Sequence, residues 1–198
     1  GEHNIQGIGD KHVPLIHNVM NTDFVVGVSD QATNNLNLIF NTAVGQNYLN
    51  KKHSFEIDFI KRLPEFGFST IANILASIKL AKYMRLGSDD AIITVATDGA
   101  DLYLSELNKT KEDFKGIFDE FSCAEIFGQY LKGVNIDNTL ECNQKDRERI
   151  FNLGYYTWVE QQGVNLDDFE KRRDQNFWND HYKYMLSLDD KIKEFNSL

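Results

Sequence analysis

The stretch Asp90–Gly99, DAIITVATDG, decides how this chain is read. Ile92, Ile93 and Val95 form a short apolar run, and Asp98-Gly99 closes it with a turn signal. A run that does not alternate between apolar and polar suits a central parallel strand covered on both faces. Just before it lies STIANILASIKLAKYMRLG, Ser69–Gly87, where Ile71, Ile74, Leu75, Ile78 and Ala81 recur at helical spacing. Ser69 or Thr70 offers the helix an N-cap and Gly87 a stop.

Further out, DFVVGVSDQ (Asp23–Gln31) reads as a short buried strand ending in the N-cap signal Ser29-Asp30. A helix through Leu36, Leu38, Ile39 and Phe40 follows it. The segment from Asn50 to Ser69 is irregular, or a short helix broken before Pro64. Strand, helix, helix, strand in this order predicts an α/β domain. After about residue 110 the chain turns acidic, aromatic and helix-forming. The expected organisation is therefore an α/β part over 1–110 and a mainly helical extension of about three helices over 111–198.

The totals exclude several function classes. The chain has 198 residues, 41% of them apolar, with 14 Phe and 8 Tyr, enough for a packed core. A net charge of -9 argues against tracking a nucleic-acid backbone or docking on an anionic membrane. No apolar run is long enough to span a bilayer. Cys123 and Cys142 form no metal pair or disulfide framework and read as reduced thiols of a cytoplasmic protein.

Three short stretches could carry chemistry. Gly7-Ile8-Gly9 near the start is a backbone loop able to pass close to a ligand, or else an ordinary tight turn. It is no dinucleotide fingerprint, since no third glycine follows. Gly67-Phe68-Ser69-Thr70 puts a hydroxyl at a helix N-terminus, where it can cap the helix or face a bound heteroatom. Asp98-Gly99-Ala100-Asp101-Leu102-Tyr103 sits at a strand end, where α/β sheets bind ligands, or is simply a capped turn into a helix.

Together these stretches resemble the second half of a fold-type II pyridoxal-phosphate enzyme of the cysteine synthase and cystathionine β-synthase family. IQGIGDKHVP is similar to that family's I-x-G-I-G loop. EFGFSTIANILASIKLAK is similar to its G-x-S-(S/A)-G segment with the following helix. ITVATDGADLYLSEL is similar to its P-D-S-G-E-R-Y-L-S segment. The resemblance spans about residues 2 to 108, in the family's order. It departs where Ile71 replaces a glycine, Thr97 a proline, and Gly99-Ala100 a Ser-Gly pair.

The resemblance implies a three-layer fold, pyridoxal 5'-phosphate as cofactor, an amino-acid substrate of the serine type, and β-elimination or β-replacement. It implies that Ser69 hydrogen-bonds the pyridine nitrogen, that Gly7, Gly9 and Gly67 line the cofactor cleft, and that Asp98 and Tyr103 lie near the ring. Ile8 and His12 become candidates for the substrate cleft. The family's Schiff-base lysine and phosphate loop lie in a preceding half that these residues do not match, so the chain alone is expected to be inactive. Lys79, mid-helix, is a poor substitute. A homodimer would also fit.

Two other readings stay open. His3, Asp10, His12 and His17 crowd the first residues, but their spacing makes no one-face helical pair, and no metal site is expected. The chain could instead be a non-catalytic partner subunit or a dimerisation module. Its tail aromatics, Trp158, Phe177, Trp178, Tyr182 and Tyr184, would then be an interface, although packing onto the body is the simpler expectation.

Overall fold

The computed structural model describes residues 3–5 and 7–197, and it is mostly helical. Among the described residues nine α-helices run in chain order: α1 Asp30–Asn41, α2 Ala43–His53, α3 Ile57–Arg62, α4 Phe68–Met84, α5 Leu104–Asp113, α6 Glu120–Phe127, α7 Gln144–Tyr155, α8 Leu166–Lys171 and α9 Gln175–Asn196. The sheet found among the described residues has two strands, β1 Phe24–Val26 and β2 Thr139–Glu141.

The expectation of a layered α/β sheet is corrected here. The first predicted strand shrinks to the three residues of β1, which pair with β2. Asp90–Gly99 has no strand partner and no regular structure. Its polar backbone groups are met by α4 instead. Asn73 Nδ2 donates to Val95 O at 2.9 Å, Thr97 N donates to Thr70 Oγ1 at 2.9 Å, and Gly67 N donates to Asp98 O at 2.9 Å. A helix face has taken the place of a neighbouring strand, which satisfies part of the backbone but covers neither face of the segment. Ile93 is accordingly 96% exposed and Val95 66%.

The chain divides into two compact units, one made of Gly1–Gly9 with Val26–Leu140, the other of Asp10–Val25 with Glu141–Leu198. A boundary at residue 110 would fall inside α5. In the first unit α1 is the hub. Ser29 caps it by accepting from Ala32 N at 3.2 Å, and Leu36, Leu38 and Ile39 are buried. Thr42 ends α1 by donating to Leu38 O at 2.7 Å and starts α2 by accepting from Gly45 N at 3.1 Å. The turn between the helices is so tight that a Cβ on Gly45 would lie 2.1 Å from Ile39 O. Ile60, Leu63, Ile71 and Leu75 close the core with Cys123, Ile126 and Phe127 of α6.

α4 follows its predicted span, but its ends differ. Neither Ser69 nor Thr70 is the cap. The N-cap is Gly67, with no side-chain bond, and both hydroxyl residues are buried inside the first turn. The helix stops at Arg85, whose φ of 56° is left-handed, two residues before Gly87.

The second unit holds Val19, Phe151 and Phe169 at its centre, with the two rings 4.7 Å apart. Trp158 packs against them and donates from Nε1 to Val13 O at 2.8 Å. Asn143 and Asp146 form a capping box on α7. The tail's third expected helix is two: Asp174 caps a new start by accepting from Asn176 N, which separates α8 from α9. Among the predicted packing aromatics, Trp158 fulfils that role within this unit. Tyr182 and Tyr184 do not, being 66% and 57% exposed.

Candidate functional site

The start of α4 draws the three predicted stretches together. A helix leaves its first backbone N–H groups without intrahelical acceptors, and the positive end of its dipole lies there. Most helices answer with a side-chain cap; α4 has none. Gly67 is required here because the carbonyl of Asp98 crosses so closely that a Cβ would sit 2.4 Å from it and 3.0 Å from the Tyr103 ring. Tyr103 lies on Phe68, ring centroids 4.8 Å apart, and Ile5 and Ala72 complete a small buried cluster.

Ser69 sits in the middle of this arrangement. It is 1% exposed, and its Oγ is buried with no hydrogen-bond partner among the described residues. A neighbouring buried hydroxyl, Thr70, spends its oxygen on Thr97, so the contrast lies between adjacent residues. Leaving a hydroxyl unsatisfied in the interior costs on the order of 1–3 kcal/mol. Gly7 lies directly against it: a Cβ there would be 2.5 Å from Ser69 Oγ. Gly9 N donates to Ile5 O at 3.0 Å, so Gly7-Ile8-Gly9 is a tight turn and also the cover of Ser69. A Cβ on Gly9 would meet Ile5 O at 2.2 Å and the His3 ring at 2.6 Å. His3 Nδ1 is another buried polar atom with no partner among the described residues.

The remaining predicted residues fare differently. Asp98 takes part through its carbonyl, while its side chain is exposed. Ile8 is half exposed at the turn. His12 belongs to the other unit, where its Nδ1 lies 3.1 Å from Thr157 Oγ1. Among the described residues no three His, Cys, Asp or Glu side chains converge on a metal-sized centre. Cys123 is buried, and burial first, then Asp119 and Glu120, pushes its thiol up to about 11, far from a nucleophile's range.

Lys79 lies about 15 Å along α4 from Ser69, ten residues at the helical rise. Its Nζ donates to Gly27 O at 2.9 Å and Asp137 O at 2.6 Å, at the wall of a separate cavity of about 480 Å³. That ammonium ties the turn after β1 to the turn before β2 and does not reach the Ser69 region.

Sequence reasoning weighed His3 only as a metal ligand and missed the Thr70, Asn73 and Thr97 ties. Thr70 and Asn73 are three residues apart, a spacing that puts both on one helix face; that was the available signal. No family model, no curated protein and no solved structure matches this chain. No helix among the described residues is long and apolar enough to cross a membrane.

Proposed function

We propose that the first unit is the ring-binding part of a pyridoxal-phosphate enzyme that carries out β-elimination or β-replacement on serine-type amino acids, completed by a polypeptide that brings the Schiff-base lysine, the phosphate loop and the remaining sheet of a three-layer fold. The observation that carries this reading is the buried Ser69 hydroxyl, which has no partner among the described residues, at the start of α4, where no side chain caps the helix. The cofactor, when bound, supplies an electron sink for charge developing at the substrate Cα.

The chain's own residues supply the rest. Ser69 Oγ donates a neutral hydrogen bond to the pyridine nitrogen, which a carboxylate would instead hold protonated. Among the described residues the hydroxyl has no acceptor, so it gives up none of their bonds on doing so. Gly7 and Gly9 give a cover whose backbone approaches without side chains. Gly67 lets the Asp98 carbonyl hold the helix start in place. Phe68 and Tyr103 pack on each other as an apolar floor at the helix start. None of these residues carries an amine, so in this reading they bind and orient while the completing polypeptide contributes the amine.

4-Deoxypyridoxine 5'-phosphate tests this, because it carries the ring and phosphate but no aldehyde and cannot label stray lysines. Titration into the ¹⁵N-labelled chain is expected to shift the amides of Gly7, Gly67, Ser69 and Asp98 saturably. Ser69→Ala is expected to weaken that binding about tenfold, the loss of one hydrogen bond of ~1.4 kcal/mol. Shifts scattered over the surface, or a Ser69→Ala chain that binds equally well, overturn the reading.

A further inference from the structure

α9 buries none of its 22 residues, yet it is strongly amphipathic in its sequence. Counted in heptads from Trp178, its a positions are Trp178, Met185 and Ile192, and its d positions are His181, Leu188 and Phe195. Met185, Ile192 and Phe195 are 60%, 56% and 74% exposed. Asp180, Lys183, Ser187, Asp190, Lys193 and Glu194 occupy outer positions, interrupted by Leu186. A seam repeating every 3.5 residues is the pattern of a helix that coils around another.

We propose that this seam is covered by the α9 helix of a second copy of the chain, running antiparallel. This does not depend on the reading of Ser69. Antiparallel pairing matches every seam residue in one register: Trp178 faces Phe195, His181 faces Ile192, and Met185 faces Leu188, each pair occurring twice about the dyad. The flanks agree with it. Tyr182 comes opposite Asp189, a hydroxyl donor facing a carboxylate. Tyr184 comes opposite Lys191, a pairing the helix already makes within itself, with Lys191 Nζ 5.5 Å from the Tyr184 ring centroid. A parallel pair would instead stack His181 on its own copy and leave Lys191 opposite Asn196.

α9 carries four acids and three lysines, close to neutral, so it offers no charge to an anionic membrane or to a strongly charged partner. Six seam side chains and two tyrosines per copy, most of them large, remove on the order of 1,200–1,600 Å² in total, the size class of a stable specific interface.

Sedimentation equilibrium of the whole chain is expected to give a dimer that dissociates on dilution. Met185→Asp with Leu188→Asp is expected to be monomeric at concentrations where the unsubstituted chain is dimeric. Its helical content should be retained, because neither residue is buried within the chain. Ser187→Asp, on the outer face, should leave the dimer intact. Orientation is read by mixing a His181→Cys chain with an Ile192→Cys chain and oxidising: cross-links between unlike chains are expected. A monomer at every concentration, a dimer indifferent to the two aspartates, or cross-links between like chains overturns the proposal. So would a monomer whose α9 sediments with lipid vesicles.

Discussion

α4 and α9 are the two longest helices, of 17 and 22 residues, and they use their apolar side chains in opposite ways. α4 buries Phe68 through Ala72 without a break and Leu75 after them, so its first turn is covered all round. α9 buries nothing and gathers its apolar residues, Leu186 apart, on one seam and its flanks. The difference lies in amount as well as in pattern, α4 being the more apolar helix by composition. An apolar turn with small and branched residues on every side demands neighbours from the same chain, whereas a 3.5-residue seam can wait for another helix. The start of α4 is thus where a substitution should be costly, and the body of α9 is where it should be nearly free in a single chain.

The largest expected effect is at Phe68, which is fully buried against Tyr103. Phe68→Ala should cost ~3–5 kcal/mol in urea unfolding, the usual loss for emptying a buried aromatic site. A loss below ~1 kcal/mol would mean that the floor beneath Ser69 is not packed in solution. Next is Gly67→Ala. Its Cβ has backbone within 2.4 Å, and backbone cannot swing aside as a flexible side chain can, so ~1–3 kcal/mol is expected. If Gly67→Ala is neutral, the Asp98 carbonyl does not cross the helix start as closely as described.

Ser69→Ala sharpens the comparison in the other direction. The hydroxyl is buried with no partner among the described residues, so removing it relieves that cost and is expected to raise stability by ~1 kcal/mol. A residue that is dispensable for folding yet required for ring binding separates site from scaffold. A large destabilisation would mean that Ser69 holds a structural hydrogen bond. Smaller again is Met185→Ala on α9, which should move the unfolding midpoint of the dilute chain by no more than ~0.5 kcal/mol, as at an ordinary surface position.

Much of the helical organisation was legible in the sequence because it is local. The span of α4, the Ser29 cap of α1 and the break near Pro64 all follow from spacing and capping chemistry. The sheet was not legible. Asp90–Gly99 has the composition of a covered strand, but composition does not say whether a partner strand exists, and here Thr70, Asn73 and Gly67 hold its backbone instead. The site was legible in part. Gly7 lies against Ser69, and Gly67 lies against the Tyr103 ring, so the separate stretches do come near one another, but Asp98 contributes a carbonyl that any residue could offer. His12, only three residues past Gly9, belongs to the other unit, since the chain crosses between units just after that glycine. Proximity in sequence was the wrong guide there.

The smallest effect expected is a pH slope in the first unit. His53 stacks on Phe127 with ring centroids 3.9 Å apart, and its Nε2 lies 3.1 Å from the Tyr48 hydroxyl. Burial first, and the nearby Lys132 second, lower its pKa from the ordinary 6.5. A histidine depressed in the folded state binds its proton more readily in the unfolded one. Its contribution to stability is therefore complete above pH 6.5 and declines as pH falls from 6.5 through the lowered folded value. His17 is shifted the same way, by burial and then Arg172, so a single substitution removes only part of the slope. His53→Gln also loses stacking, which lowers stability at every pH. The informative quantity is the change in unfolding free energy between neutral pH and about pH 5.5, which should be smaller in His53→Gln than in the unsubstituted chain. An unchanged slope would mean that His53 titrates alike in both states, and that the Tyr48, His53 and Phe127 rings do not close over it in solution.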